Sequence, residues 1–289
     1  MASGREIQPY RGRFAPSPTG PLHLGSLVAA AASYLDAQHA DGEWHVRIDD
    51  IDPPRAIEGA VSRILTCLDH HGFVSPRPTV FQSQHHSRYD QALEKLSALG
   101  LLFSCSCTRA TLGPQGCCTR DCRQLFPGML ASHSWRIHVP PGTETVFNDL
   151  FLGNQRHALA ESTPNFIVRR RDGLYAYQLA AAVDDGDPAV NHVVRGADLL
   201  GSTHRQLFLQ QLLRLSSPHY GHVPVMTDKQ GNKLSKQTGA PPIDTTTASL
   251  NLRQVLAFLG QPAPPENCQS VTDILTFATH YWNRNCVGR

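Results

Sequence analysis

The segment that most restricts the fold of this chain is an eleven-residue stretch near its start, Pro16-Ser17-Pro18-Thr19-Gly20-Pro21-Leu22-His23-Leu24-Gly25-Ser26. Before it, Arg11 to Ala15 is short and extended in character. Pro16, Pro18, Gly20 and Pro21 exclude regular structure in between. After it, Leu24, Leu27, Val28, Ala31 and Leu35 recur every three or four residues, which predicts an amphipathic helix ending near Gly42. A strand, a turn and a helix in that order present free backbone amides at the helix start, where anions bind. His23 stands at that start, where an imidazole can donate a hydrogen bond to a phosphate, and Gly25 lets a ligand approach the backbone closely. Taken alone, the segment is equally a helix-opening histidine in a proline-rich turn.

About two hundred residues further on lies a second polar stretch, Lys233-Leu234-Ser235-Lys236-Gln237. His222 to Met226 is apolar enough for a strand, and Asp228-Lys229-Gln230-Gly231-Asn232 has turn chemistry. Lys233, Ser235 and Lys236 then sit in a loop, where two ammonium groups and a hydroxyl suit a departing pyrophosphate. Such a loop is otherwise simply solvated. Neither a G-x-x-x-x-G-K-[ST] nor a G-x-G-x-x-G occurs, so the commoner phosphate loops do not compete.

Together these stretches resemble the two signatures of class I aminoacyl-tRNA synthetases, here His23-Leu24-Gly25-Ser26 and Lys233-Leu234-Ser235-Lys236-Gln237. The flanking Arg13-Phe14-Ala15-Pro16-Ser17-Pro18-Thr19-Gly20, then Val46 to Arg55, then Val194-Arg195-Gly196-Ala197-Asp198-Leu199, resemble the glutamyl branch. The likeness runs from about Arg11 to Gln237. It implies a doubly wound, Rossmann-like parallel α/β core with a zinc-bearing insertion and a small C-terminal helical region. The expected division is 1–102 and 162–238 for the two halves of the catalytic core, 103–161 for the insertion and 239–289 for the helical tail. That tail holds helices near Leu250–Leu259 and Val271–Trp282, too little for an anticodon-binding domain. The expected relatives are therefore the glutamyl-Q tRNA(Asp) synthetases, made of the catalytic portion alone.

The chain has 289 residues and a net charge of +2, which neither requires nor excludes a nucleic-acid partner. Runs such as Arg169-Arg170-Arg171 can touch phosphates, but an exposed strand end is the simpler reading. No stretch is apolar over the ~18 residues a spanning helix needs. The first residues lack the apolar run of a secretory signal, so the cytoplasm is the expected compartment.

Five of the eight cysteines, Cys105, Cys107, Cys117, Cys118 and Cys122, fall within one short segment. In a reducing compartment clustered thiols favour a metal over disulfides. Zinc takes four ligands in a closed tetrahedron when structural, and the natural set is Cys105, Cys107, Cys118 and Cys122, with Cys117 as an adjacent rival for the third place. In the resembling family that third ligand is a tyrosine, whose position Cys118 occupies. Cys67, Cys268 and Cys286 are scattered and read as structural.

A glutamate substrate carries two carboxylates and one ammonium, so its site needs cations and an anion. Arginine grips a carboxylate bidentately, which makes Arg13 and Arg195 partners for the side-chain acid, while Asp49 meets the ammonium and Tyr177 adds a hydroxyl. The resemblance implies glutamate contacts over Arg13, Phe14, Ala15, Pro16 and Ser17 and at Asp49, Tyr177 and Arg195. Its usual residue at the acidic position is glutamate. Asp49 is one methylene shorter, leaving a water, Asp50 or Asp52 to fill the gap. Arg47, Asp50, Asp52 and Arg55 read as a surface ion-pair network. ATP, arriving with Mg2+, is expected against His23, Gly25, Ser26 and Lys236. Catalysis then falls to His23 on the α-phosphate and to Lys233, Ser235 and Lys236 on the pyrophosphate. The activity the resemblance implies is tRNA-independent activation of L-glutamate, followed by transfer to queuosine in the anticodon of tRNA(Asp), with no membrane and no obligate protein partner. The alternatives are a truncated synthetase charging a tRNA 3′ end and a non-catalytic tRNA-binding paralogue.

Overall fold

The computed structural model describes residues 8–227 and 241–288. Strand β1 (Arg11–Phe14) leads through the proline turn into helix α1 (Leu24–His39) and strand β2 (Glu43–Ile48), then α2 (Ala60–His70), a short β3 (Val80–Phe81) and α3 (His86–Ala98). A less regular stretch follows: β4 (Leu102–Cys105), the single turn α4 (Cys122–Leu125), β5 (Ser134–His138), the hairpin β6 (Glu144–Asp149) and β7 (Gly153–Ala158), α5 (Leu159–Ser162) and β8 (Asn165–Arg169). The chain then forms α6 (Tyr177–Asp185), β9 (His192–Gly196), α7 (Leu200–Leu213), β10 (His219–Val223), α8 (Ala248–Phe258) and α9 (Val271–His280).

Five strands make one parallel sheet in the order β10, β9, β1, β2, β3. The chain builds outward from β1 to β3 on one side and resumes at β9 and β10 on the other. Strand order therefore reverses between β1 and β9, the place where open sheets of this kind leave a crevice beyond their carboxyl ends. β4, β5 and β8 form a separate antiparallel sheet, whose last strand lies beyond position 161. The expected strand at His222–Met226 lies earlier, at His219–Val223, because Pro224 has no N–H to continue the ladder.

The alanines of α1 decide how the core closes. Ala30, Ala31, Ala32 and Ala37 are at most 1% exposed, and the helix packs on the parallel sheet on one side and on α8 and α9 on another. Small side chains let it approach on both. Asp36, buried in the same helix, accepts hydrogen bonds from Tyr10 Oη at 2.7 Å and Trp282 Nε1 at 2.9 Å and pairs with Arg284 at 2.6 Å. This joins the two ends of the described chain over α1. A second apolar cluster, including Tyr89, Leu93, Ile137, Val168, Leu179 and Leu209, seats the antiparallel sheet on α3, α6 and α7. Among the described residues, no helix is long and apolar enough to cross a membrane.

Candidate active site

His23 caps α1. Its backbone is extended (φ −115°, ψ 168°), and its Nδ1 accepts from the Ser26 amide at 3.3 Å. An imidazole accepting at Nδ1 in its neutral form carries its proton at Nε2, so the nitrogen not used in the cap is the donor. The first turn of α1 contains no acidic residue, leaving the positive end of the helix dipole uncompensated. The turn before it is pinned at both ends: Asp49 N donates to Pro16 O at 3.0 Å and Ile57 N to Pro18 O at 2.9 Å. Gly20, at φ 135°, supplies a backbone angle that side chains rarely adopt.

Below this turn lies a lattice of buried charges. Arg13, from β1, donates to Asp185 Oδ1 from Nε at 3.0 Å and to Oδ2 from Nη2 at 2.7 Å. Arg47, from β2, bridges Asp49 and Asp185, at 2.7 Å to each. All four are below a tenth exposed, with the Asp185 side chain at 0%. Burial alone would raise the pKa of Asp185, but Arg13 and Arg47 hold it well below the usual carboxylate range. At Asp49 burial wins over Arg47 and the pKa is raised. Arg47 is thus no surface residue: two carboxylates draw it into the core. Asp52 and Arg55 do form the expected ion pair near the surface, at 2.5 Å.

Arg195, at the end of β9, is held from another side. Its Nη2 donates to Thr203 Oγ1 at 2.6 Å and Gln206 Oε1 at 2.7 Å, both on α7, and its Nη1 lies 3.3 Å from Tyr177 Oη. Behind it, His222 Nε2 is 2.8 Å from Thr203 Oγ1, while His222 Nδ1 meets Asp149 Oδ2 at 2.5 Å. Asp149 also accepts from the amides of Phe151, Leu152 and His222. Burial pushes the His222 pKa down. The Asp149 carboxyl, despite its own burial, stays below its ordinary value through hydrogen bonds from His222 and from two of these amides. The pair is therefore carboxylate and neutral imidazole, with Nδ1–H donated to Asp149 and Nε2 accepting.

These groups converge on a cavity of about 420 Å³ at the switch between β1 and β9. Its walls include Arg13, Phe14, Ala15, Pro16, Ser17, His23, Gly25, Ser26, Asp49, Tyr177 and Arg195, so every residue selected for glutamate or ATP within the described residues lies on one space. Val223 to Met226 form another wall; Lys233, Ser235 and Lys236 lie outside the described residues. A second cleft of about 470 Å³, lined by Asp52, Arg55, Arg170 and Tyr175, shares Ser17, Asp49 and Tyr177 with the first. The arginine run is divided: Arg169 lies over Trp135 and Tyr175, Arg170 pairs with Asp52 and Asp172, and Arg171 donates to Ser106 O. Sequence reading missed Asp185, Asp149, His222, Thr203 and Gln206. Only the adjacent Asp184-Asp185 at the end of an apolar helix offered a signal.

The second constellation is thiol. Cys105, Cys107, Cys118 and Cys122 place their sulfurs within 4.8 Å of one another, a group that can hold a metal ion. A tetrahedron with metal–sulfur bonds of about 2.3 Å has sulfur–sulfur edges of about 3.8 Å. Cys107 Sγ lies 3.8 Å from Cys118 Sγ and 3.7 Å from Cys122 Sγ, so the donor set fits. Cys117 Sγ instead donates to Asn165 O at 3.3 Å and is not part of the cluster.

The family of class I tRNA synthetases for E and Q, catalytic domain, matches residues 10–116 and 119–251 of this chain. The chain is 43% identical over 291 residues to the glutamyl-Q tRNA(Asp) synthetase of Dechloromonas aromatica (strain RCB), covering 97% of this chain and 96% of that one. It is 44% identical over 281 residues to the protein of the same name from Thiobacillus denitrificans, covering 94% and 93%. In fold it is similar to a solved glutamate tRNA ligase from Elizabethkingia meningosepticum, with a TM-score of 0.76 at 22% identity. That likeness covers 97% of this chain and 66% of the solved one, so this chain spans about two thirds of that structure's length.

Proposed function

We propose that this chain, which belongs to the class I tRNA synthetase family for glutamate and glutamine by its catalytic domain, activates L-glutamate with ATP without tRNA and then glutamylates queuosine in the anticodon of tRNA(Asp). The observation that carries the first half is the charge of the cavity. Its walls carry both signs, with Arg13 and Arg195 as cations for a carboxylate and Asp49 and Asp198 as anions for an ammonium group. Asp149 stands apart, compensated by His222 and three backbone amides. A glutamate zwitterion, with two carboxylates and one ammonium, offers groups of both signs to such walls.

In this reading Arg195 and Tyr177 meet the side-chain carboxylate of the substrate, Asp49 its ammonium group, and the Arg13–Ser17 segment its main-chain atoms. The α-carboxylate attacks the α-phosphorus of ATP, which arrives with Mg2+, and pyrophosphate leaves. His23 donates from Nε2 to the α-phosphate oxygens as charge builds, aided by the start of α1. Lys233, Ser235 and Lys236 stabilise the pyrophosphate. Positioning and electrostatics carry such a step without a covalent enzyme intermediate. The second cleft, sharing the Asp49–Tyr177 wall, leaves room for an acceptor beside the activated carboxyl. Cys105, Cys107, Cys118 and Cys122 hold one structural zinc. When bound, it closes the segment that carries them.

The relatives' names favour the anticodon acceptor over a tRNA 3′ end, and one experiment separates the two. Glutamate-dependent pyrophosphate exchange is expected in the absence of tRNA, followed by labelled-glutamate transfer to tRNA(Asp) only when it carries queuosine. Absence of exchange without tRNA sinks the proposal. So does attachment that is lost when the 3′-terminal adenosine of the tRNA is removed enzymatically.

A further inference from the structure

Arg136 is a buried cation without an anion. It stands in the middle of β5, is 2% exposed, and forms no ion pair among the described residues. An unpaired buried charge is strongly unfavourable, so a compensating group is called for. Its hydrogen bonds go to one place: Nε donates to Asn165 Oδ1 at 2.7 Å and Nη2 to Gly116 O at 2.5 Å. Asn165 in turn clamps the peptide of Cys118 on both sides. Its Oδ1 accepts from Cys118 N at 2.8 Å and its Nδ2 donates to Cys118 O at 2.9 Å, while its own carbonyl accepts from Cys117 Sγ. Burial is the largest influence on Arg136 and disfavours its charge, while the nearby thiols of Cys105, Cys118, Cys117 and Cys107 act in the opposite sense.

We propose that Asn165 and Arg136 preset the metal site. Asn165 selects Cys118 over its neighbour Cys117 as the third ligand, and Arg136 fixes Asn165 and balances the charge of the loaded centre. Four thiolates around a divalent ion carry a net charge of −2, which makes a buried guanidinium favourable where it is otherwise costly. Arg171 and Arg205 extend the same shell outward, donating to Ser106 O at 2.9 Å and to Gln115 Oε1 at 3.1 Å. Partners that orient ligands from outside the coordination sphere typically contribute 10- to 100-fold in metal affinity.

The inference rests on the zinc reading of the cysteine cluster, and the test keeps the two apart. Full-length protein is loaded with zinc, its metal content measured, and its affinity read by competition with a chromogenic chelator. Cobalt substitution reports the ligand set by its absorption. The unaltered protein should hold one metal with a four-sulfur cobalt spectrum; no metal at all removes the zinc reading itself. Asn165→Ala and Arg136→Met should each weaken affinity by about 10- to 100-fold, and Arg136→Lys, which keeps the charge, by less than Arg136→Met. Cys117→Ser should leave stoichiometry and spectrum unchanged, whereas Cys118→Ser should lose a sulfur ligand. If the unaltered protein binds metal and the folded variants match its affinity within twofold, the clamp is wrong. It is equally wrong if Cys117→Ser and not Cys118→Ser changes the spectrum. The serine pair decides the matter should either truncation fail to fold.

Discussion

The substrate cavity and the cysteine cluster solve the problem of buried charge in opposite ways. In the cavity, Arg13 and Asp185 are 172 positions apart in sequence and come from β1 and α6, so the site exists only once the parallel sheet has closed. Arg13 and Arg47 are met there by carboxylates within the fold itself, while Arg195 is held by Thr203, Gln206 and Tyr177. In the cluster, the four thiols come from one short segment, and the buried Arg136 behind them has no carboxylate. The Arg13–Arg47 lattice is neutralised by the fold, whereas Arg136 is, in the proposal above, balanced by what the thiols bind.

The strongest way to break this contrast is Asp185→Asn. It leaves Arg13 and Arg47 facing a neutral partner in a place with no water access, and removing one partner of a buried pair costs about 3–5 kcal/mol. Urea unfolding should show that loss, and glutamate-dependent exchange should fall with it. A loss under about 1 kcal/mol means the lattice is not what sets the cavity.

Metal removal should act more mildly and elsewhere. None of the four clustered cysteines lines the cavity. Chelation should therefore lower the thermal midpoint, reversibly on adding zinc, while most of the pyrophosphate exchange persists. Complete loss of exchange on chelation would join the two regions that the contrast keeps apart.

His222→Asn probes a finer layer within the cavity. It cuts the link from Asp149 to Thr203 and Arg195 and leaves buried partners unsatisfied, at a cost of about 1–3 kcal/mol. Because Arg195 is proposed to bind the glutamate side chain, loss of the group that positions it should raise KM for glutamate by about tenfold, with kcat changed much less. An equal fall in kcat with KM unchanged would make the relay something other than a support for Arg195.

Local chemistry made one part of the molecule legible in sequence. The proline turn, the start of α1 and the cysteine spacing are short-range signals, and each landed where its residue types put it. The charges behind the cavity were not legible. Arg47 lies in a run with Asp50, Asp52 and Arg55 that, taken alone, reads as a surface ion-pair network, and pairing with Asp49 and with Asp185 from α6 draws it inside. His222 and Asp149 are ordinary residues until β10 and the β6–β7 hairpin meet. Periodicity and spacing report what neighbours along the chain do, whereas a buried ion pair depends on who arrives from across the sheet. The third cysteine shows the same limit at short range. The sequence favours Cys118 but leaves Cys117 as an adjacent rival, and in the structure the two differ in their contacts with Asn165, more than forty positions later.

The smallest effect is the pH dependence of stability, and its sign follows from two histidines outside both sites. His192, stacked on Tyr10, has its pKa lowered to about 4 by burial and by neighbouring His219. His204, beside His157, is lowered to about 4 in the same way. In the unfolded chain both titrate near the ordinary value of ~6.5. Above that value they are neutral in both states and cost nothing. As pH falls from there toward 4 the unfolded chain takes up protons that the folded chain refuses, so stability declines with acid. Asp185, held low by its arginines, adds its own loss only at still lower pH, with the same sign. The unfolding midpoint should drop steadily from pH 7 to pH 4.5, and His192→Phe, which keeps a ring against Tyr10, should flatten that slope. A midpoint that rises on acidification, or a slope untouched in His192→Phe, would remove His192 from the account and leave the acid sensitivity to other buried groups, His222 and Asp185 among them.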